Sequence, residues 1–140
     1  MLGSACLMST STTQSIQALS SGEAEFYSSV KGASTGLGLV SLAADFGVAL
    51  GLRLRIESSA SISICNRKGA GRIRHISTRT LWLQHHVAKG AIDIAKIDGK
   101  VNPADLGTKH LDGNKIGPLL ALVGQRTAKG RPTNAPKALI

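Results

Sequence analysis

Aromatic side chains are nearly absent from this chain. One Trp, one Tyr and two Phe occur in 140 residues, so aliphatic side chains must supply most of any core. No apolar run approaches the roughly 18 residues that a membrane-crossing helix needs, which excludes a membrane partner of that kind. The opening stretch MLGSACLMSTSTTQ has neither a basic start nor a sufficient apolar segment, so a secretory leader is not expected. Cys6 and Cys65 are isolated from each other and from other ligand-type residues. They provide no disulfide framework and no zinc-ligand spacing, and they fit a reducing compartment, cytoplasmic or nuclear. Acids are scarce as well: eight Asp and Glu against 17 Lys and Arg, with none in residues 1–13. The G-x-x-x-x-G-K-[ST] spacing of a phosphate-binding loop is missing, no Ser–His–Asp arrangement is recognisable, and there is no internal repeat.

What is present suffices for one folded domain. Apolar residues make up 42% of the chain, too many for a disordered polypeptide. The net charge of +9 is uneven. Residues 1–52 carry Lys31 and three acids, whereas residues 53–96 carry nine bases against Glu57 and Asp93. Such a basic half suggests a polyanionic partner, nucleic acid first; the alternative is an ordinary solvated basic surface.

Periodicity supplies an order of elements. Gln14–Leu19 reads as a short strand. Ser20 or Ser21 caps a helix whose first turn holds Glu23 and Glu25, where negative charge suits the helix dipole. Phe26, Val30, Ala33, Leu37, Val40 and Ala44 form its apolar stripe. Gly32, Gly36 and Gly38 predict a kink or break over 32–38, and Gly47 a stop. Leu50–Glu57 alternates as a strand, Ser59–Asn66 reads as a short helix, and Arg67–His75 as a basic loop. A helix over His75–Lys89 and a strand over Ala91–Ile97 follow. Asn102-Pro103 opens a last helix, Pro103–His110. From Gly113 the expectation is a tail, basic and disordered from Gly124 on. The expected division is a poorly determined segment 1–13, a domain 14–112 and a tail 113–140, in an α/β arrangement.

Three acids occupy comparable places in that order: Glu25 in the first turn of the long helix, Glu57 at a strand's C-terminal end, and Asp105 in the first turn of the last helix. Sites form along such an edge of an α/β sheet. Carboxylates gathered there call for a hard cation, Mg²⁺ or Mn²⁺. Two such ions roughly 4 Å apart are a general device for cleaving phosphodiesters. Spacing alone leaves the plainer reading open, in which acids decorate element ends.

The segment SSGEAEFY at 20–27 resembles the "SS-x-EAE-aromatic" stretch of the ribonuclease H domain that ends the polymerase polyprotein of copia-type retrotransposons. Residues 56–111 resemble it too: an acid before a small-polar helix, a basic loop ending RHI, then a helix, a strand and NPADLGTKHL. The resemblance runs from about residue 14 to 112. It implies an RNase H-like fold and metal-dependent hydrolysis of RNA in RNA–DNA hybrids during reverse transcription, within a larger polyprotein. It places the family's helix glutamate on Glu25, its strand-end aspartate on Glu57 and its last aspartate on Asp105, which leaves Glu23 as a dipole-matching surface charge.

Two departures from the family pattern stand beside the resemblance. Glu57 stands where the family has Asp, and one extra methylene moves the carboxylate by about 1.5 Å. The family's first catalytic Asp lies on a strand ahead of SSGEAEF, where residues 1–13 offer no acid. The expected fold is therefore an incomplete mixed sheet lacking that first strand, flanked by helices, with at most a second strand near Ala5–Ser9. The expected activity is impaired or lost; the alternatives are a non-catalytic basic nucleic-acid-binding module or a functionless retroelement remnant. Arg67, Lys68, Arg72, Arg74 and Lys109 are the candidates for gripping phosphates. His75 is read first as a helix-start or packing residue and Trp82 as a packing residue, while His85 and His86, adjacent on a helix, point about 100° apart and cannot hold one ion together.

Overall fold

The computed structural model describes residues 1–73, 76–127 and 130. It is mixed α/β, with five α-helices and a two-stranded parallel sheet among the described residues. No described helix is long and apolar enough to cross a membrane. The chain forms two compact units, Thr13–Lys100 and Met1–Thr12 with Val101–Ile140.

Within Thr13–Lys100, helix α1 spans Ser21–Asp45. Ser20 caps it: its hydroxyl accepts from the Glu23 N–H at 3.2 Å. Contrary to the expected kink, α1 runs unbroken through Gly32, Gly36 and Gly38. At Gly32 and Gly36 packing on Leu54 and Leu52 outweighs the poor helix propensity. A Cβ on Gly36 would stand 2.6 Å from Leu52 Cδ1, and one on Gly22 would stand 2.8 Å from Ala60 Cβ. These glycines let the helix lie close on its neighbours. Gly47, with φ of +76°, lies just past the end of α1, as expected.

Strand β1 spans Leu52–Ile56 and pairs in parallel with β2, Ile92–Lys96, in the register Leu52↔Ile92 to Ile56↔Lys96. Between them lie α2 at Ser59–Asn66, a 3₁₀ turn at Thr78–Thr80 and α3 at Trp82–Ala88. The helix expected over His75–Lys89 is thus shortened to its second half. The alternation predicted for β1 holds, and that for β2 holds over Ile92–Ile94, after which Ala95 is half-buried and Lys96 exposed. Leu52, Leu54, Ile56, Ile92 and Ile94 join one core with Phe26, Tyr27, Ala33, Ile64, Cys65, Ile76 and Leu83. On the other face Arg53 and Asp93 are exposed and form an ion pair at 2.5 Å.

Two expected strands are not found. Gln14–Leu19 has no strand structure, and the N-terminal segment has only an isolated bridge, Leu2↔Ala5, in place of a strand over Ala5–Ser9. Ile16 and Leu19 are three apart, so a pleat would turn them to opposite faces, and both are exposed. The incomplete mixed sheet is therefore, among the described residues, one parallel pair.

In the other unit α4 spans Asp105–Thr108 and α5 spans Gly113–Leu122. The last helix is shorter than the Pro103–His110 expected. Asn102 Oδ1 accepts from the Ala104 N–H at 3.2 Å, so its side chain organises the turn that precedes α4. The expectation of a tail from residue 113 is corrected by α5. Gly113, Gly117 and Pro118 argue against a helix there, but Ile116, Leu119 and Val123 recur on one face, and Leu119 and Val123 are buried. Residues 128, 129 and 131–140 lie outside the described residues.

Candidate functional site

The N-terminal end of α1 and the C-terminal end of β1 share one level of the sheet. Gly36 lies over Leu52 and Gly32 over Leu54, so helix and strand run in opposite directions. From Gly32 back to Glu25 is seven residues, about 10.5 Å of helix rise. From Leu54 on to Glu57 is three residues, about 10 Å of strand. Glu25 is also on the packing face of α1, in the series Glu25, Ser29, Gly32, Gly36. Ser29 confirms that face, since its hydroxyl is buried 3.2 Å from that of Ser61 in α2. Glu25 and Glu57 are both exposed at this rim.

The Glu57 carboxylate leans over the turn after β2 and fills the space a Cβ on Gly99 would need. Asp105 belongs to the other unit. It is buried, and its Oδ2 accepts from Lys109 Nζ at 3.0 Å, one helical turn on. Among the described residues no group of three or more His, Cys, Asp or Glu is placed to hold a metal ion. Carboxylate oxygens such as those of the exposed Glu25 and Glu57 suit Mg²⁺ or Mn²⁺ as donors.

Glu23 corrects an expectation. Read as a surface charge, it is 1% exposed. Its Oε2 accepts from the Leu19 N–H at 3.0 Å, and its Oε1 accepts from the Tyr27 hydroxyl at 2.9 Å. Together with the Ser20 cap this is a variant of the capping box, in which the glutamate reaches one residue further back. The S-x-x-E spacing at Ser20–Glu23 was the signal for it. Burial, and then the hydrogen bond to Glu23, raise the Tyr27 pKa above that of a free tyrosine.

The basic loop divides into separate roles. Arg67 turns inward: its Nη2 donates to the Ala70 carbonyl at 2.5 Å, and its guanidinium lies against Gly71. It braces its own loop, leaving Lys68 and Arg72 as the exposed cations among the described residues of that stretch. Arg74 and His75 lie outside the described residues. Lys109 engages Asp105. A residue that the sequence did not flag holds this loop: Gln84, buried in α3. Its amide accepts from the Gly69 N–H at 2.7 Å and donates to the Gly69 and Ile64 carbonyls at 3.0 and 2.9 Å. A polar residue beside Leu83 gave no sign of this. Trp82 packs edge-on against His86, with ring centroids 5.4 Å apart, consistent with its reading as a packing residue. Burial pushes the Cys65 thiol up to about 11, which suits a core residue and not a nucleophile.

The chain matches no protein-family model, no curated protein and no solved structure.

Proposed function

We propose that this chain is an RNase H-like domain of copia-type retrotransposon origin that has lost hydrolysis of RNA in RNA–DNA hybrids and retains nucleic-acid binding through its basic loop. The observation that carries this reading is the shared rim. A long helix starting at SSGEAEF lies antiparallel to a strand ending in an acid, with Glu25 and Glu57 level at one end of a parallel pair. Loss of the chemistry is supported by how the acids are spent. Glu57 leans on Gly99, and Asp105 is neutralised by Lys109. Binding is supported by the exposed Lys68 and Arg72 on a loop that Gln84 and Arg67 hold in shape. Its partners in this reading are RNA–DNA hybrid or related nucleic acid and the polyprotein of its origin, inside the cell.

The test is a labelled RNA–DNA hybrid mixed with the purified chain in Mg²⁺ or Mn²⁺. The expected result is binding whose log–log salt slope is roughly −2 to −3, as for about three phosphate contacts. Cleavage should not exceed the protein-free control, and Asp105→Asn should leave binding unchanged. Cleavage abolished by Asp105→Asn would overturn the loss of chemistry; undetectable binding at low salt would overturn the binding role.

A further inference from the structure

Strand β1 pairs only with β2, so one of its edges has no ladder partner among the described residues. The phase of that edge is fixed. The Ile97 N–H donates to the Ile56 carbonyl at 3.1 Å, from the end of β2 across to β1. In a strand the N–H and C=O of one residue point to the same side, and the sides alternate along the chain. Leu52, Leu54 and Ile56 therefore direct theirs to β2, and Arg53 and Arg55 turn theirs outward. No described backbone group outside the ladder bonds to those of Arg53 or Arg55. The side chains along the edge are ordered too. On one face Leu52 and Leu54 are only half-buried; on the other Arg53 and Arg55 are exposed. Asp93 answers Arg53 from the cross-strand position on β2. Arg55 has Ala95 in that position and enters no ion pair among the described residues.

We propose that the free edge of β1 takes an extended segment of a partner protein as an added strand, in which apolar and acidic residues alternate. Its main chain completes the hydrogen bonds that Arg53 and Arg55 leave open, as strand addition at a sheet edge does. Its apolar residues fall beside Leu52 and Leu54 and extend the half-buried face. Its acids fall beside Arg53 and Arg55, where they supply the charge that Ala95 does not. Charge selects this occupant over a second copy of the chain. Two β1 edges paired antiparallel about Leu54 would set Arg53 against Arg55 at both ends, and directly opposed like charges destabilise a strand pair. Nucleic acid could meet the arginines but offers the edge no matching row of peptide donors and acceptors. The binding of nucleic acid by the basic loop is not needed for this inference.

Synthetic peptides test it by fluorescence anisotropy on the purified chain. A labelled, end-capped peptide of about seven residues, a usual strand length, alternates Val and Glu. It should bind with a Kd of roughly 10–100 µM. The same residues in non-alternating order should bind at least about tenfold more weakly, since acids and apolar residues then fall on the wrong faces. Methylating every second peptide nitrogen should abolish binding in one phase and spare it in the other, because only one set of N–H groups faces the edge. Arg55→Glu should weaken binding at least about tenfold, and Lys115→Glu, an equal change of net charge at an exposed site in the other unit, by no more than about twofold. Equal affinity for the reordered peptide would mark a general polyanion surface and overturn the proposal. So would undetectable binding, equal losses in both methylated peptides, or equal losses in both variants.

Discussion

The two halves of α1 are similar in sequence character and differ in burial. Up to Ala33 the helix is set into the core against β1 and α2; beyond it no residue is fully covered. The chain's two phenylalanines mark the contrast, with Phe26 at 0% exposure and Phe46 at 78%. Length explains it. Five-residue strands span about 16 Å, less than half of the helix. An amphipathic stripe therefore states which side of a helix is apolar, and the neighbouring strand decides how far along it burial extends.

The sharpest test of the contrast sets the phenylalanines against each other. Phe26→Ala should cost about 3–5 kcal/mol of unfolding free energy by cavity formation. Phe46→Ala should stay within about 0.5 kcal/mol, measured by denaturant titration at concentrations too low for association. Comparable losses at both sites would erase the distinction between the halves.

The two glutamates offer the next largest effect. Glu23→Ala removes a cap partner and leaves the buried Tyr27 hydroxyl without its acceptor, and should cost about 2–3 kcal/mol. Glu25→Ala, on the exposed rim, should change stability by less than about 0.5 kcal/mol. The same titrations would reveal a reversal, which would restore Glu23 to the surface.

Glycine substitutions come third. Gly22→Ala meets the Ala60 methyl and should destabilise by about 1–3 kcal/mol through overpacking. Gly38→Ala meets nothing and should stabilise the dilute chain by about 0.5–1 kcal/mol. Melting temperatures moving in the same direction would deny the difference in packing.

The last comparison is read against pH. The Cys65 thiol is raised from 9.0 to about 11 by burial, and Tyr27 is raised as well. The fold therefore favours their protonated forms. That contribution is complete below about pH 9 and is lost as pH climbs toward about 11. Denaturation midpoints should fall across this window, and Cys65→Ala should flatten the fall. A thiol reagent at neutral pH should label Cys6 at once and Cys65 only on unfolding; equal rates would contradict the burial of Cys65.

Much of the fold was legible where local pattern and burial agree. LRLRI alternates because one face of β1 meets the core, and SASISICN forms α2 with the expected ends. Legibility failed where a distant contact decided the outcome. Gly32 and Gly36 suggested a break that packing on Leu54 and Leu52 offsets. Gln84 is indistinguishable from a surface glutamine until the loop it clamps is in place. At the rim, element order put Glu25 and Glu57 at one end of the sheet, but it carried no information on where a flexible carboxylate leans. Glu23 was misread because dipole and capping arguments both accept an exposed acid, and only Tyr27 shows that this one is buried.

The parallel register joins Arg53 to Asp93, 40 positions later in the chain. On a ribosome adding roughly 5–20 residues per second, β1 waits about 2–8 s before its mate has been synthesised. Through that interval LRLRI presents one uncovered apolar face and unpaired backbone groups, and the like charges of Arg53 and Arg55 oppose strand-on-strand stacking of copies.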